Sequence, residues 1–374
     1  MKKKKVAFVK FGGMAIGGTE KVLQTIAANI SKDKFEVDYY YCDAAPYIGS
    51  DWKHPNTDQS RVEYTRSHGV NLIKFNVGFK NVLTPTHEWV ETDFWEKFNE
   101  DDYDLVVTGR SGHPEYPFCL MHKVPIIDTI HLAGMAENKP NTYKTVLISE
   151  EQRERWISAG GDRNKSTIIA NPVYCPKVES QYSYPNKFVF GLHQRDNDEI
   201  FCPIPLEAYS KIESDLTMFL FLGGSKLYQE QAKTLGIKNI KFLPTTPDLM
   251  EIHTFLNSLD VYAHGRADGE QCSTAIIEAM SHGLPVVSHF APSNGHVEQI
   301  ADTGRVVENT NDYKIALLEM MNNKEYYDNC VIKTKQRYSS EYSLSSIIER
   351  YSSLFVEASL SKTPLNNHTT TGVK

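Results

Sequence analysis

Residues 259–290 read LDVYAHGRADGEQCSTAIIEAMSHGLPVVSHF, and the order of the elements in this segment indicates the class of the fold. It begins with an apolar run that predicts a buried strand, followed by a polar loop. Ser273 or Thr274 is a suitable helix N-cap, and the helix beyond it is apolar over its first turns except at Glu278. Gly283 ends that helix, and a second apolar run predicts another strand. This order of elements indicates a parallel α/β sheet.

Glu270 and Glu278 stand in an E-x7-E spacing within this stretch. Glu270 falls in the loop just outside the helix, and Glu278 falls near the second helical turn. Burying a polar group without a partner costs about 2–7 kcal/mol, so Glu278 needs one. The predicted partner is an arginine, a lysine or a backbone N–H in a purely structural role, or else a ligand hydroxyl.

The spacing E-x7-E followed by A-M-x-x-G-x-P-V-V resembles the signature of family 4 (group 1) retaining glycosyltransferases. The resemblance implies the GT-B fold, in which two Rossmann-like, doubly wound α/β domains face each other across a cleft. It also implies that Glu278 holds the ribose hydroxyls of a nucleotide sugar and that Glu270 lies near the transferred sugar. Cys272, Ser273 and Thr274 would begin the helix whose N–H groups face the donor diphosphate. The family usually has Phe-Gly where this chain has Cys272-Ser273, which puts the identity of the sugar in doubt.

The resemblance also covers a phosphate clamp, but one of its two cations is absent. The family pattern is G-x-x-x-R followed five or six residues later by a lysine, and Gly191 and Arg195 fit its first part. Ile200 and Phe201 stand where the lysine is expected. A missing charged contact of this kind is worth several kcal/mol at a dry site. Either Lys226, just after Gly223-Gly224, is the substitute, or the donor is bound in a different way.

Further candidates follow strands of the N-terminal half. Gly17 and Gly18 belong to a Gly-rich loop after an apolar strand, which resembles the G-G-x-E turn of the same family and is predicted to approach the donor. The loop contains neither G-x-G-x-x-G nor a P-loop. His131 ends a strand at a place where the family has a His near the transferred sugar. Arg110 and His113 are weaker candidates for acceptor contacts.

Composition narrows the class of protein. The chain has 374 residues and a net charge of −7, which argues against a general nucleic-acid binder. Six cysteines without C-x-x-C predict reduced thiols and a cytoplasmic protein. The basic run Lys2–Lys5 leaves peripheral contact with an anionic membrane open as an alternative to a solvated N-terminus. No metal-ligand spacing is present, so neither metal nor other cofactor is expected.

Alternating apolar strands and helices predict two domains. Residues 1–172 form an N-terminal acceptor-side domain, 173–186 a linker, and 187–344 the nucleotide-sugar-binding domain. A helix is predicted over 315–326. A last helix is predicted over 345–360, and the resemblance implies that it packs back on the first domain. Residues 361–374 are expected to be disordered. The predicted strands are 6–9, 35–41, 70–75, 105–108, 125–130, 146–149 and 166–170, then 188–192, 218–222, 240–243, 261–263 and 285–288.

The function implied by the resemblance is metal-independent, retaining transfer of a sugar from a UDP- or GDP-type donor. The acceptor would be a hydroxyl of a glycan, a lipid-linked molecule or another compound. A nucleotide-sugar-binding protein with weak or no turnover is one alternative, because the clamp lysine is absent. A sugar-nucleotide epimerase with a bound dinucleotide is another, and the lack of G-x-G-x-x-G argues against it.

Overall fold

The structure, a computed structural model, describes residues 2–15, 17–43, 57–77, 92–110, 118–131, 141–179 and 183–361. The chain divides into two compact units. The first unit comprises residues 1–148, 152–169 and 348–374, and the second comprises 149–151 and 170–347.

Within its described residues, the first unit is built on a seven-stranded parallel sheet of order β3-β2-β1-β4-β5-β6-β7. The interior strand β1 is fully buried from Val6 to Val9, as a short apolar run in a parallel sheet should be. The elements are β1 (Lys4–Lys10), α1 (Gly18–Asn29), β2 (Phe35–Tyr41), α2 (Gln59–Ser67), β3 (Asn71–Lys74), α3 (Phe94–Lys97), β4 (Leu105–Arg110), β5 (Ile126–Ile130), β6 (Thr142–Leu147), α4 (Glu150–Ser158) and β7 (Ser166–Ile168).

The described part of the second unit repeats this plan with six parallel strands of order β10-β9-β8-β11-β13-β15, beside a two-stranded pair β12-β14. Its elements are β8 (Phe188–Gln194), α5 (Ile204–Tyr209), β9 (Thr217–Gly223), α6 (Lys226–Leu235), β10 (Ile240–Leu243), α7 (Leu249–Leu256), β11 (Val261–Ala263), β12 (Gly269–Glu270), α8 (Thr274–Ser281), β13 (Val286–His289), β14 (Ser293–Asn294), α9 (Gly295–Ile300), β15 (Arg305–Val307), α10 (Thr310–Asn322) and α11 (Lys324–Arg337).

The last helix, α12 (Leu344–Leu360), returns to the first unit from residue 348 onward. Its Phe355 is fully buried, and the ring packs edge-on against Phe8 and Phe35 at centroid distances of 6.0 and 5.9 Å. The first unit is thus completed by residues from the far end of the chain.

In both sheets the strand order reverses direction next to the first strand, between β1 and β4 and between β8 and β11. Ligands of open parallel sheets bind beyond the carboxyl ends of the strands at such a switch point. The predicted fold class, two Rossmann-like doubly wound α/β domains, is confirmed.

Two details differ from the sequence prediction. Residues 315–326 were expected to form one helix, but α10 ends at Asn322 and α11 begins at Lys324. Asn323 separates them because its side chain accepts a hydrogen bond from Tyr326 N at 3.1 Å, which caps α11. The short strands β12, β14 and β15 were not predicted. None of the helices described here is long and apolar enough to cross a membrane.

Candidate functional site

Glu278 lies on α8, where its carboxylate is paired with a histidine from the neighbouring strand β8. Its Oε2 atom is 2.9 Å from His193 Nε2, and the two side chains are only 13% and 12% exposed. Because an ionised carboxylate only accepts hydrogen bonds, the ring nitrogen donates. The structural partner is therefore a histidine, and the expectation of an arginine, lysine or backbone N–H was wrong.

Two further histidines lie near Glu278. His253 Nδ1 is 2.8 Å from His282 Nε2. Burial and then the neighbouring His253 lower the pKa of His282 to about 4, and burial also lowers the pKa of His253. Both rings are consequently neutral at neutral pH and add no positive charge beside Glu278.

Glu270 belongs to the short strand β12 rather than to the predicted loop. Its backbone pairs with Asn294 of β14, and Gly269 beside it has φ of +70°. A Cβ at Gly269 would overlap with the carbonyl of Ser293, so glycine is required for this approach. The pairing fixes the backbone from which the Glu270 side chain projects.

The Glu270 carboxylate faces His264, the residue directly after β11. Oε1 of Glu270 is 3.5 Å from His264 Nε2, and His264 Nδ1 is 2.8 Å from the hydroxyl of Ser288. Tyr313 donates its hydroxyl to the carbonyl of His264 at 2.9 Å. His264 is 3% exposed and Ser288 is fully buried, so the ring is held on both edges.

The surroundings of Glu270 favour its ionised form. Burial alone raises its pKa, but the hydrogen bond and charge of His264, the charge of Arg266 and a hydrogen bond from Ser273 outweigh burial and lower it. Arg266 NH1 lies 3.8 Å from Glu270 Oε1. Glu270 is therefore a buried carboxylate that stays negative, which suits stabilisation of a developing positive charge.

The beginning of α8 confirms the capping prediction. Ser273 is the N-cap and accepts from Ile276 N at 3.3 Å, so its hydroxyl is already used. Gln299 accepts from Ser273 N at 2.6 Å and donates to its carbonyl at 3.2 Å. Cys272 is buried, which raises its pKa to about 12, whereas Thr274 is exposed. A ligand at this helix end would meet the first-turn N–H groups and Thr274.

The predicted phosphate cations lie at two other places in the second unit. Arg195 directly follows β8 and is exposed. Lys226 is the first residue of α6 and is also exposed, after the buried N-cap Ser225. Arg266, which no sequence motif indicated, binds the carboxylate of Asp268 through Nε at 2.6 Å and Nη2 at 3.0 Å.

In the first unit, buried side chains shape the Gly-rich loop. The Gln24 amide donates to the carbonyls of Gly13 and Ala15 at 2.8 and 3.0 Å. Gly17 is the N-cap of α1, and a Cβ there would overlap with the carboxylate of Glu20. At Gly18 no atom lies within 4 Å of where a Cβ would stand. Gly17 thus makes room for Glu20, whereas Gly18 borders open space.

Two of the remaining candidates lie at the carboxyl edge of the first sheet. His131 directly follows β5, and Arg110 is the last residue of β4, in register with Ile130. His113 lies outside the described residues. The roles predicted for all these side chains stay predictions.

Sequence reasoning missed His193, His264 and Arg266. All three lie at or just beyond the carboxyl ends of β8 and β11, the two strands at the switch point. A polar residue at the end of a buried strand was the available signal, and it was used for His131 but not for these three.

Comparisons with known proteins agree with this architecture. Residues 205–337 match the family model described as Glycosyl transferases group 1. The matched residues lie wholly within the second unit. The resemblance to group 1 glycosyltransferases that the E-x7-E spacing indicated is confirmed, and so is the expected enzyme class, glycosyltransferase. A search of curated proteins found no match.

Solved structures resemble nearly the full length of the chain. A glycosyltransferase from Rickettsia africae ESF-5 is 14% identical with a TM-score of 0.71, covering 97% of this chain and 100% of its own. Anabaena Alr3699/HepE in complex with UDP is 16% identical with a TM-score of 0.67, covering 94% and 100%. The lipopolysaccharide outer core galactosyltransferase WaaB is 15% identical with a TM-score of 0.66, covering 96% and 100%. At these identities the likeness shows the fold.

Proposed function

We propose that the protein transfers a sugar from a nucleoside diphosphate sugar to a hydroxyl acceptor with retention of anomeric configuration, and that it needs no metal. The observation that carries the proposal is the pair Glu270 and Glu278. Each is a largely buried carboxylate held by a histidine at the carboxyl end of a switch-point strand. Because a carboxylate accepts two hydrogen bonds well, Glu278 suits a vicinal diol such as ribose.

The remaining roles follow from the kind of charge each group offers. Ionised Glu270 would stabilise the positive charge that develops on the transferred sugar as the glycosidic bond breaks. Arg195, the first turn of α8 and Lys226 would bind the diphosphate, replacing the charge of a metal ion. We also propose Gly17 and Gly18 as donor contacts, with His131 near the sugar and Arg110 and His113 as acceptor contacts.

For the donor we propose a UDP-sugar first and a GDP-sugar second. The HepE structure, which shares the fold, was determined with UDP and with UDP-glucose. As the acceptor we propose a hydroxyl of a glycan or of a lipid-linked molecule. Free thiols at Cys42, Cys175, Cys202, Cys272 and Cys330 fit a reducing compartment, so we propose a cytoplasmic reaction.

Thermal unfolding with UDP, GDP, ADP, TDP and their common sugars, with Mg²⁺ or with EDTA, tests the proposal. We expect one nucleoside diphosphate to raise the melting temperature equally with and without metal, since binding to the folded state stabilises it. Glu278→Ala should abolish the shift, whereas Glu270→Gln should keep it and lose turnover. A stabilising nucleotide that yields no transfer or hydrolysis of any donor would favour a binding protein. Retention is read from the anomeric configuration of the product by NMR.

A further inference from the structure

The positions that lack the clamp lysine are occupied by packed apolar side chains. Ile200 is 2% exposed, and the partly buried ring of Phe201 packs against Tyr228 at a centroid distance of 4.7 Å. A lysine at position 200 would have to leave its charge in this apolar packing or displace it, and both are unfavourable. A lysine at position 201 would lose the ring contact with Tyr228. The second cation therefore has to come from another segment.

The loop after β11 lies directly against these positions. The N–H of Ala267 donates to the carbonyl of Ile200 at 3.3 Å, and the Gln194 amide donates to the carbonyl of Gly265 at 3.1 Å. A Cβ at Gly265 would overlap with the ring of Pro205. These contacts bring Arg266, the residue between Gly265 and Ala267, next to the place where the lysine is missing.

The guanidinium of Arg266 is only partly occupied. It binds Asp268, whose side chain is 55% exposed, and NH1 stands 3.8 Å from Glu270 Oε1, beyond hydrogen-bond length. The hydrogen bond from Arg266, and to a smaller extent the charges of Arg266 and Arg195, lower the pKa of Asp268. Two arginines therefore act on one exposed carboxylate, which an anion of similar geometry could replace.

We propose that Arg266 is a donor-binding residue that supplies a further cation for the diphosphate beside Arg195 and Lys226, with Asp268 holding its guanidinium until the diphosphate displaces that carboxylate. This proposal rests on the nucleotide-sugar donor proposed above. It assigns part of the charge lost at positions 200 and 201 to a residue four positions before Glu270. Diphosphate binding and the charge around Glu270 are thereby coupled through one side chain.

The Arg266–Asp268 ion pair permits a test from both sides. Arg266→Ala and Asp268→Asn break the same ion pair, so a purely structural pair predicts effects of the same sign. A diphosphate cation predicts opposite signs, because Arg266→Ala removes the charge that binds phosphate while Asp268→Asn removes its competitor. Arg266→Lys keeps the positive charge but loses the two-pronged hydrogen bonding of the guanidinium. Its affinity for UDP should therefore lie between those of the wild type and Arg266→Ala.

The measurement is isothermal titration calorimetry of the whole protein with UDP and with uridine. We expect Arg266→Ala to weaken UDP binding about tenfold and to change uridine binding less than twofold. Asp268→Asn should strengthen UDP binding. Arg305→Ala, which removes another arginine of this unit from an ion pair with Glu319 at 2.9 Å, is the matched control and should bind UDP like the wild type.

The outcomes separate this inference from the proposed function. Wild-type protein that binds neither UDP nor GDP would count against the proposed function itself. If the wild type binds UDP and Arg266→Ala binds it equally well, Arg266 is not a diphosphate ligand. Equal weakening by Arg266→Ala and Asp268→Asn would overturn the inference in favour of a structural ion pair. Melting temperatures of all variants show whether a loss of binding reflects unfolding, and Arg266→Lys decides if Arg266→Ala does not fold.

Discussion

Replacing Gly17 by alanine should destabilise the first unit, whereas the same change at Gly18 should not. The new Cβ at position 17 would overlap with the carboxylate of Glu20, which forms an ion pair with Lys10 at 3.4 Å. The Lys10 side chain is 4% exposed, so moving Glu20 weakens the pairing of a nearly buried ammonium. Removing one partner of a buried pair costs about 3–5 kcal/mol, but only the flexible end of Glu20 has to move here, so we expect a loss of about 1 kcal/mol.

At Gly18 an added methyl group meets no atom within 4 Å, and the residue lies in the first turn of α1. Alanine there should stabilise the unit by about 0.5 kcal/mol, since it restricts the unfolded chain. For a unit of this size, the loss at Gly17 corresponds to a fall of roughly 2–4 °C in melting temperature.

Tryptophan fluorescence is the suitable probe, because the four tryptophans of the sequence, at positions 52, 89, 95 and 156, all lie outside the residues of the second unit, 149–151 and 170–347. Its thermal and urea transitions therefore report this unit selectively. An unchanged transition for Gly17→Ala, or equal losses for both variants, would show that Glu20 does not depend on the space at Gly17.

Three further outcomes are expected. Ser288→Ala leaves the buried Nδ1 of His264 without its hydrogen bond, so the free energy of unfolding should fall by about 1–3 kcal/mol. Turnover should also fall while the Kd for UDP stays the same. An unchanged kcat would show that the orientation of His264 beside Glu270 does not matter for turnover. Because the folded protein lowers the pKa of Glu270 below 4.5, this group stabilises the fold above pH 4.5 and loses that contribution as pH falls through the folded pKa. Urea midpoints of the wild type and Glu270→Gln should accordingly converge in acid, and a constant gap between them would contradict the lowered pKa. Phe355→Ala removes the ring packed on Phe8 and should lower the free energy of unfolding of the first unit by about 3–5 kcal/mol. Urea unfolding followed by tryptophan fluorescence measures this loss, and an unchanged midpoint would contradict it.

The sequence was most informative where structure is decided locally. The strand Phe35–Tyr41 and the N-cap Ser273 were predicted at the correct residues, because apolar runs and capping residues act on their immediate neighbours. The helix break at Asn323 was missed, since an apolar helical period continues past it and only the capping geometry reveals the change.

Partners distant in sequence could not be predicted in the same way. His193 and Glu278 are 85 positions apart, and no periodic pattern relates a residue at the end of one strand to a residue on a later helix. Their meeting follows from the strand order, which places β8 beside β11. The E-x7-E spacing singled out two carboxylates from the sequence, and the fold places a histidine beside each of them.

The return of α12 to the first unit affects how the protein is made. Ribosomes synthesise a chain from its N-terminus, so Phe8 and Phe35 are exposed to solvent long before Phe355 emerges to cover them. The second unit is nearly continuous in sequence, from 170 to 347, so its synthesis is complete before that of the first unit. A ribosome that stalls before the last helix would release a chain with one finished unit and one apolar face open to aggregation. Chaperones that bind nascent chains should therefore engage the first half of this protein for most of its synthesis.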